Sequence, residues 1–274
     1  LQAAAVTCRN ILNREPEHAG ALNLLGSILA DAGNFDQAVH LLKDALVTGG
    51  TNPGVLFNYG VALAGADRLA EAARAFKLAL EAAPERADCW FNLGETYRRL
   101  GRPEDAVPAL SQAVALNPTD SLHRLTLGDA YLQSGQPAQA VEQFQALVDL
   151  APGDLSAQNA LGVALRHSCR PEASEEIFKK LVALHPGDPA FLNNYGLTLT
   201  DRKKFSEAET AFLRAIDVAP DYHDARINLA NVYAAGAKFD AAAASLETAL
   251  SSGSENKSLA IKLGLMHQKR GRLE

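Results

Sequence analysis

Apolar residues along this chain recur on two superimposed periods. At short range they fall at i, i+3, i+4 and i+7, as in Trp90, Leu93, Gly94 and Tyr97, which is the spacing of one face of an α-helix. Ala106, Leu110 and Ala113 mark a second helix of the same kind. At long range the pattern returns every 34 residues: Leu25-Gly26 steps to Tyr59-Gly60, Leu93-Gly94, Leu127-Gly128, Leu161-Gly162, Tyr195-Gly196, Leu229-Ala230 and Leu263-Gly264 without a slip. Such a period is the mark of a stacked array.

Further columns keep the register. A second small residue follows twelve places after the glycine (Ala38, Ala72, Ala106, Ala140, Ser174, Ala208, Ala242), and a large apolar one four places after that (Leu42, Phe76, Leu110, Phe144, Phe178, Phe212, Leu246). Breaks fall on Pro84, Pro118, Pro152, Pro186 and Pro220. Gly33, Gly101 and Gly135 are placed to end a first helix in a left-handed turn. Pro103, Pro137 and Pro171 suit the first turn of a second helix. Asp120, Asp154 and Asp188 suit the cap of the next first helix. The small columns predict close contact between the two helices of a pair, Gly94 against Ala106 with Trp90 and Leu110 filling the flanks.

The reading is all-α: a right-handed α-solenoid, or superhelix, of antiparallel helix pairs forming one domain over 1–274. Seven full repeats start at Ala19, Pro53, Ala87, Ser121, Leu155, Pro189 and His223, with half repeats at 1–18 and 257–274. Both ends read as cuts through a longer array, and "GRLE" resembles the opening of a further second helix. One pair is too small to bury its own core, so each must stack on its neighbours. Residues 121–186 depart from the columns: Leu147 and Leu181 replace alanine, Arg124 and Gln158 stand where Trp90 does, and Cys169 replaces the turn glycine. Either the columns drift here, or the angle between repeats changes locally.

Composition supports the helical reading and narrows the function. Of the residues, 47% are hydrophobic but only 6% aromatic, and runs such as Ala241 to Ala244 favour helix over strand. A net charge of -6 disfavours phosphate backbones, so no nucleic-acid partner is expected. No apolar run nears the ~20 residues that span a bilayer, so no membrane insertion is expected. Three dispersed cysteines, Cys8, Cys89 and Cys169, cannot form a complete disulfide framework and suggest a reducing, cytoplasmic setting.

The residues Trp90, Leu93-Gly94, Tyr97, Ala106, Leu110, Ala113 and Pro118 resemble the signature of the tetratricopeptide repeat family, and the likeness runs the length of the chain. The resemblance implies a binding scaffold for a protein or peptide, with first helices lining a concave groove. The array also looks like those of bacterial O-GlcNAc-transferase-like and sulfotransferase-linked proteins. That implies the alternative of a substrate-recognition arm on a larger glycosyltransferase or sulfotransferase. Self-association is a further possibility.

No catalytic residues, metal site or cofactor are expected. The seven histidines are scattered, and no phosphate-binding, zinc-protease or calcium-loop motif occurs. Ser254 and Lys257 give a lone SxxK match, and Asn256-Lys257-Ser258 a lone glycosylation match; both are short enough to arise at random.

Asn58, Asn92, Asn194 and Asn228 each precede the Leu/Tyr-Gly/Ala pair. By resemblance to the asparagine ladder of O-GlcNAc transferases they would pair with the backbone of an extended peptide, since an amide both donates and accepts. Leu24, Thr126, Ala160 and Lys262 interrupt the column. The competing reading gives these amides a structural role. Phe57 and Phe91, with Val61 a turn on, either anchor an apolar ligand side chain or pack between first helices. Arg98 and Arg99 could meet an acidic ligand group or remain solvated. The column Asn23, Phe57, Phe91, Leu125, Asn159, Asn193, Ile227 and Ile261 lacks the lysine of the family's chaperone-tail clamp, so that ligand is not expected.

Overall fold

The computed structural model describes residues 2–251 and 257–271. Ser254, Asn256 and the end of the "GRLE" segment lie outside the described residues, so the SxxK and glycosylation matches have no structural account. Among the described residues there are sixteen α-helices and no strand. First helices are α2 (Ala19–Asp31), α4 (Pro53–Gly65), α6 (Ala87–Arg99), α8 (Ser121–Gln133), α10 (Leu155–His167), α12 (Pro189–Asp201), α14 (His223–Ala235) and α16 (Lys257–Arg270). Second helices are α1 (Gln2–Leu12), α3 (Phe35–Gly49), α5 (Leu69–Ala82), α7 (Pro103–Leu116), α9 (Pro137–Leu150), α11 (Pro171–Leu184), α13 (Phe205–Val218) and α15 (Phe239–Ser251). From α2 to α14 the first helices begin 34 residues apart, at Ala19, Pro53, Ala87, Ser121, Leu155, Pro189 and His223.

Packing divides the chain into two compact units, Leu1–Gln143 and Phe144–Glu274. In the first, α2 packs on α3, α4 on α5 and α6 on α7, and each second helix packs on the first helix that follows. In the second, α10 with α11, α12 with α13 and α14 with α15 do the same. Neighbouring first helices also touch, α2–α4–α6–α8 in one unit and α10–α12–α14 in the other. Among the described residues the second helices have no comparable mutual contact. First helices therefore lie on the inner side of each unit's curve.

The small columns make this closeness possible. A Cβ on Gly94 would lie 2.5 Å from Leu110 Cγ and 3.3 Å from the Ala106 carbonyl. Gly60 faces Phe76, and Gly196 faces Phe212, at 2.6 Å in both cases. Those phenylalanines are fully buried, as is Phe178. The column is a lock: large residue over glycine, repeat after repeat. Where Ser174 replaces the second small residue, its Oγ reaches the Gly162 carbonyl at 2.8 Å and Thr198 Oγ1 at 3.1 Å. A buried hydroxyl is tolerated because it is satisfied.

The helix ends follow the expected chemistry. Asp120, Asp154 and Asp188 accept backbone N–H groups of the first turn that follows. The turn after each first helix from α2 to α14 is left-handed. Gly33, Gly101 and Gly135 take φ of 78, 68 and 73°, and Asp67, Cys169, Lys203 and Ala237 take 59, 58, 61 and 56°. Each turn is closed by a bond from the next N–H to a carbonyl five residues back, as from Arg102 to Tyr97 and from Lys204 to Leu199.

The departures at Arg124 and Gln158 keep the job of Trp90. Trp90 Nε1 donates to the Pro84 carbonyl at 2.7 Å, Arg124 Nε to Pro118 at 2.7 Å, Gln158 Nε2 to Pro152 at 2.6 Å and Arg226 Nε to Pro220 at 3.3 Å. These four side chains, of three residue types, share one property, an N–H that reaches six residues back. The bond pins the loop carbonyl that proline leaves outside any helix.

Candidate inner-face site

The asparagines on the first helices are bonded to one another. Asn58 Nδ2 donates to Asn23 Oδ1 at 3.0 Å, joining α4 to α2. Asn194 Nδ2 donates to Asn159 Oδ1 at 2.9 Å, and Asn228 Nδ2 to Asn193 Oδ1 at 2.9 Å, so α10, α12 and α14 are linked in series. Every pair is 35 residues apart. Each donor comes from the column before the Leu/Tyr-Gly/Ala pair, and each acceptor from the column one place earlier in the preceding repeat.

Asn92 is set apart from these. Its acceptor column holds Phe57, which has no lone pair to offer, and Asn92 Nδ2 turns onto its own helix to the Asp88 carbonyl at 2.8 Å. The same cross-helix bond thus engages Asn58 in the first unit and Asn194 and Asn228 in the second, and leaves Asn92 out. The accepting members Asn23, Asn159 and Asn193 are partners that column-by-column reading passes over. Their signal is a spacing of 35 where every other column keeps 34.

An amide that donates one N–H has a fixed orientation. Its carbonyl and second N–H stay available to a partner. Asn58, Asn194 and Asn228 are half-buried on the inner side, so their remaining groups are oriented before any ligand arrives.

Beyond the Asn58–Asn23 link of the first unit the inner face becomes apolar and charged. Phe57 is half-buried, 6.0 Å from the Phe76 ring centroid, with the Arg86 guanidinium 4.3 Å from its own. Phe91 stacks on His123 of α8 at 4.8 Å, so it packs between adjacent first helices. His123 is buried at 7% exposure, and its Nδ1 has no hydrogen-bond partner among the described residues.

Both arginines of α6 are engaged. Arg98 Nε meets Glu95 Oε1 at 2.7 Å. Arg99 reaches the preceding repeat, to Asp67 at 3.0 Å and the Ala64 carbonyl at 2.9 Å. In the second unit Glu175 on α11 accepts from Arg202 at 2.6 Å and Lys204 at 2.7 Å, joining a second helix to the turn of the next repeat. Burial works to raise the Glu175 carboxyl, but the bonds from Lys204 and Arg202 outweigh it and hold it below the usual glutamate value.

Among the described residues no group of three or more His, Cys, Asp or Glu is placed to hold a metal ion. No described helix is long and apolar enough to cross a membrane.

Comparison with known proteins agrees with this architecture. The sequence signature described as tetratricopeptide repeat matches residues 2–53, 23–87, 125–189, 195–257 and 228–274, and a second form of it matches 87–120. The chain belongs to the tetratricopeptide repeat family. A tetratricopeptide repeat protein from Parabacteroides merdae ATCC 43184 is similar over 91% of this chain and 98% of its own, with 19% identity and a TM-score of 0.71. The C-terminal part of a repeat protein from Cytophaga hutchinsonii is similar over 87% and 98%, with 16% identity and a TM-score of 0.65. YrrB, described as a repeat protein with an unusual peptide-binding site, is similar over 81% and 96%, with 22% identity and a TM-score of 0.53. At these identities the likeness is one of fold alone. No curated protein matches in sequence.

Proposed function

We propose that this repeat protein is a non-catalytic scaffold that holds an extended polypeptide along its first helices. The observation that carries the reading is the bonded amide pairs. Asn58, Asn194 and Asn228 are each fixed by a neighbour, with a carbonyl and an N–H left over. Within each unit such fixed donors and acceptors suit the backbone of an extended chain, which offers the same two groups at every residue. Fixing the amides in advance removes rotamer entropy that binding would otherwise spend.

Asn92, Phe57, Phe91 and Arg98 line the stretch of the first unit where no amide link occurs, and they would meet ligand side chains there. The peptide-binding description of YrrB points the same way, as does the family's general use as an interaction scaffold.

The test is site-specific photocrosslinking to a random peptide pool. A benzophenone side chain at Val61 or Leu197, on first helices, is expected to crosslink peptide. The same group at Leu78 or Leu213, exposed on second helices, is expected not to. Crosslinking confined to the second-helix positions would overturn the reading.

A further inference from the structure

We infer that the α4–α8 face selects a basic residue beside an apolar one in its ligand, with Asp129 as the carboxylate that reads the charge. This rests on the peptide-binding reading above and names the ligand class for one part of that face.

Asp129 follows Gly128 on α8, in the column that holds Val61 on α4 and Glu95 on α6. These side chains are all half-buried. The cations nearby are already engaged: Arg98 by Glu95, Arg99 by Asp67 and Arg86 by Asp88. Asp129 has no ion pair and no hydrogen bond among the described residues. Arg98 and Glu95 both act on it through space, in opposite senses, so Glu95, Arg98 and Asp129 together hold one negative charge in excess.

Burial raises the Asp129 carboxyl above the usual aspartate value. Arg98 lowers it again in part, and Glu95 adds to the rise. A carboxylate in that condition gains more from an incoming cation than a fully solvated one does, because part of its desolvation is already incurred. Phe91 supplies apolar surface on the adjoining α6, where it stacks on His123 of α8, and Phe57 and Val61 continue that surface on α4, the next first helix along. An ammonium or guanidinium on a long aliphatic stem matches both features, with the stem along apolar surface and the head at the carboxylate. An acidic ligand would instead meet unneutralised charge of its own sign.

A random peptide library displayed on phage, selected in parallel on wild type, Asp129→Asn and Asp129→Lys, decides the matter. Wild type should enrich Lys and Arg next to aromatic or aliphatic residues. Asp129→Asn should lose the basic preference while keeping the apolar one, and Asp129→Lys should turn the preference to Asp and Glu. A peptide selected on wild type should bind Asp129→Asn about tenfold more weakly, the loss of one charge-assisted contact. Peptides selected without a basic preference, or with one that neither substitution alters, would overturn this inference and leave peptide binding standing. Failure of wild type to select any peptide would overturn both.

Discussion

Asn228 donates its side-chain N–H to the carbonyl of Asn193 across 2.9 Å, from one first helix to the one before it. Asn193 is only 5% exposed, so the bond joins a nearly buried acceptor to a half-buried donor. Its strength belongs to the stacking of repeats, and its geometry sets what Asn228 can offer outward. One hydrogen bond therefore serves both packing and the proposed recognition.

The packing share is measurable without a ligand. Asn228→Ala and Asn193→Ala should each lower stability, the second more, because truncating a buried partner also exposes a gap. A double-mutant cycle in urea should give a coupling of about 0.5–1.5 kcal/mol, the net value of one such bond. Asn92→Ala, with no cross-repeat partner, should fall below both.

The turn column offers a second prediction. Lys203 and Ala237 sit at φ of 61 and 56°, where a side chain costs roughly 1–2 kcal/mol relative to glycine. Lys203→Gly and Ala237→Gly should raise the urea midpoint, and Gly101→Ala at φ 68° should lower it. The gain falls somewhat short of that figure, because glycine also loosens the unfolded chain.

Glu175 gives the fold a dependence on pH. Its carboxyl is held below its unfolded value near about 4.3 by Lys204 and Arg202 acting against burial. The stabilisation is thus complete above that value and is lost as the pH falls through the folded-state pKa. Glu175→Gln should cost roughly 1.5–3 kcal/mol at neutral pH, the range for bonds to charged groups. Urea titrations near pH 7 and again well below 4 should show the gap between the two proteins closing.

Thiol chemistry reports the integrity of the core. Cys8 and Cys89 are buried and Cys169 is exposed. Burial pushes the Cys89 thiol up to about 12, so it is neither accessible nor ionised near neutrality. Ellman's reagent should modify Cys169 alone in the native protein and all three cysteines in denaturant.

Much of this architecture is readable from the sequence because close packing demands small residues at fixed intervals. Gly94 under Leu110 is a constraint that a single column exposes. The register therefore places every first helix, and the left-handed turns follow from Gly33, Gly101 and Gly135. Other features need two columns at once. Asn58 and Asn92 look alike in their own column, and only the residue 35 places earlier, Asn23 in one case and Phe57 in the other, decides which amide crosses to the next helix. Arg124 and Gln158 read as losses when judged by size against Trp90, since the shared property is an N–H that reaches a proline carbonyl. Arg98 beside Glu95 is legible as a helical i,i+3 pair. The bond of Arg99 to Asp67 is not, because it depends on how closely α4 and α6 approach.

The central claim is that pre-oriented amides on the first helices grip an extended backbone, and an affinity comparison tests it most directly. Take one library-selected peptide and measure Kd by calorimetry for wild type, for Asn194→Ala/Asn228→Ala and for Lys179→Ala/Thr210→Ala on exposed second-helix positions. The account predicts at least a tenfold loss of affinity, about 1.4 kcal/mol, in the asparagine variant and none in the second-helix variant. Equal affinity for wild type and the asparagine variant would contradict it.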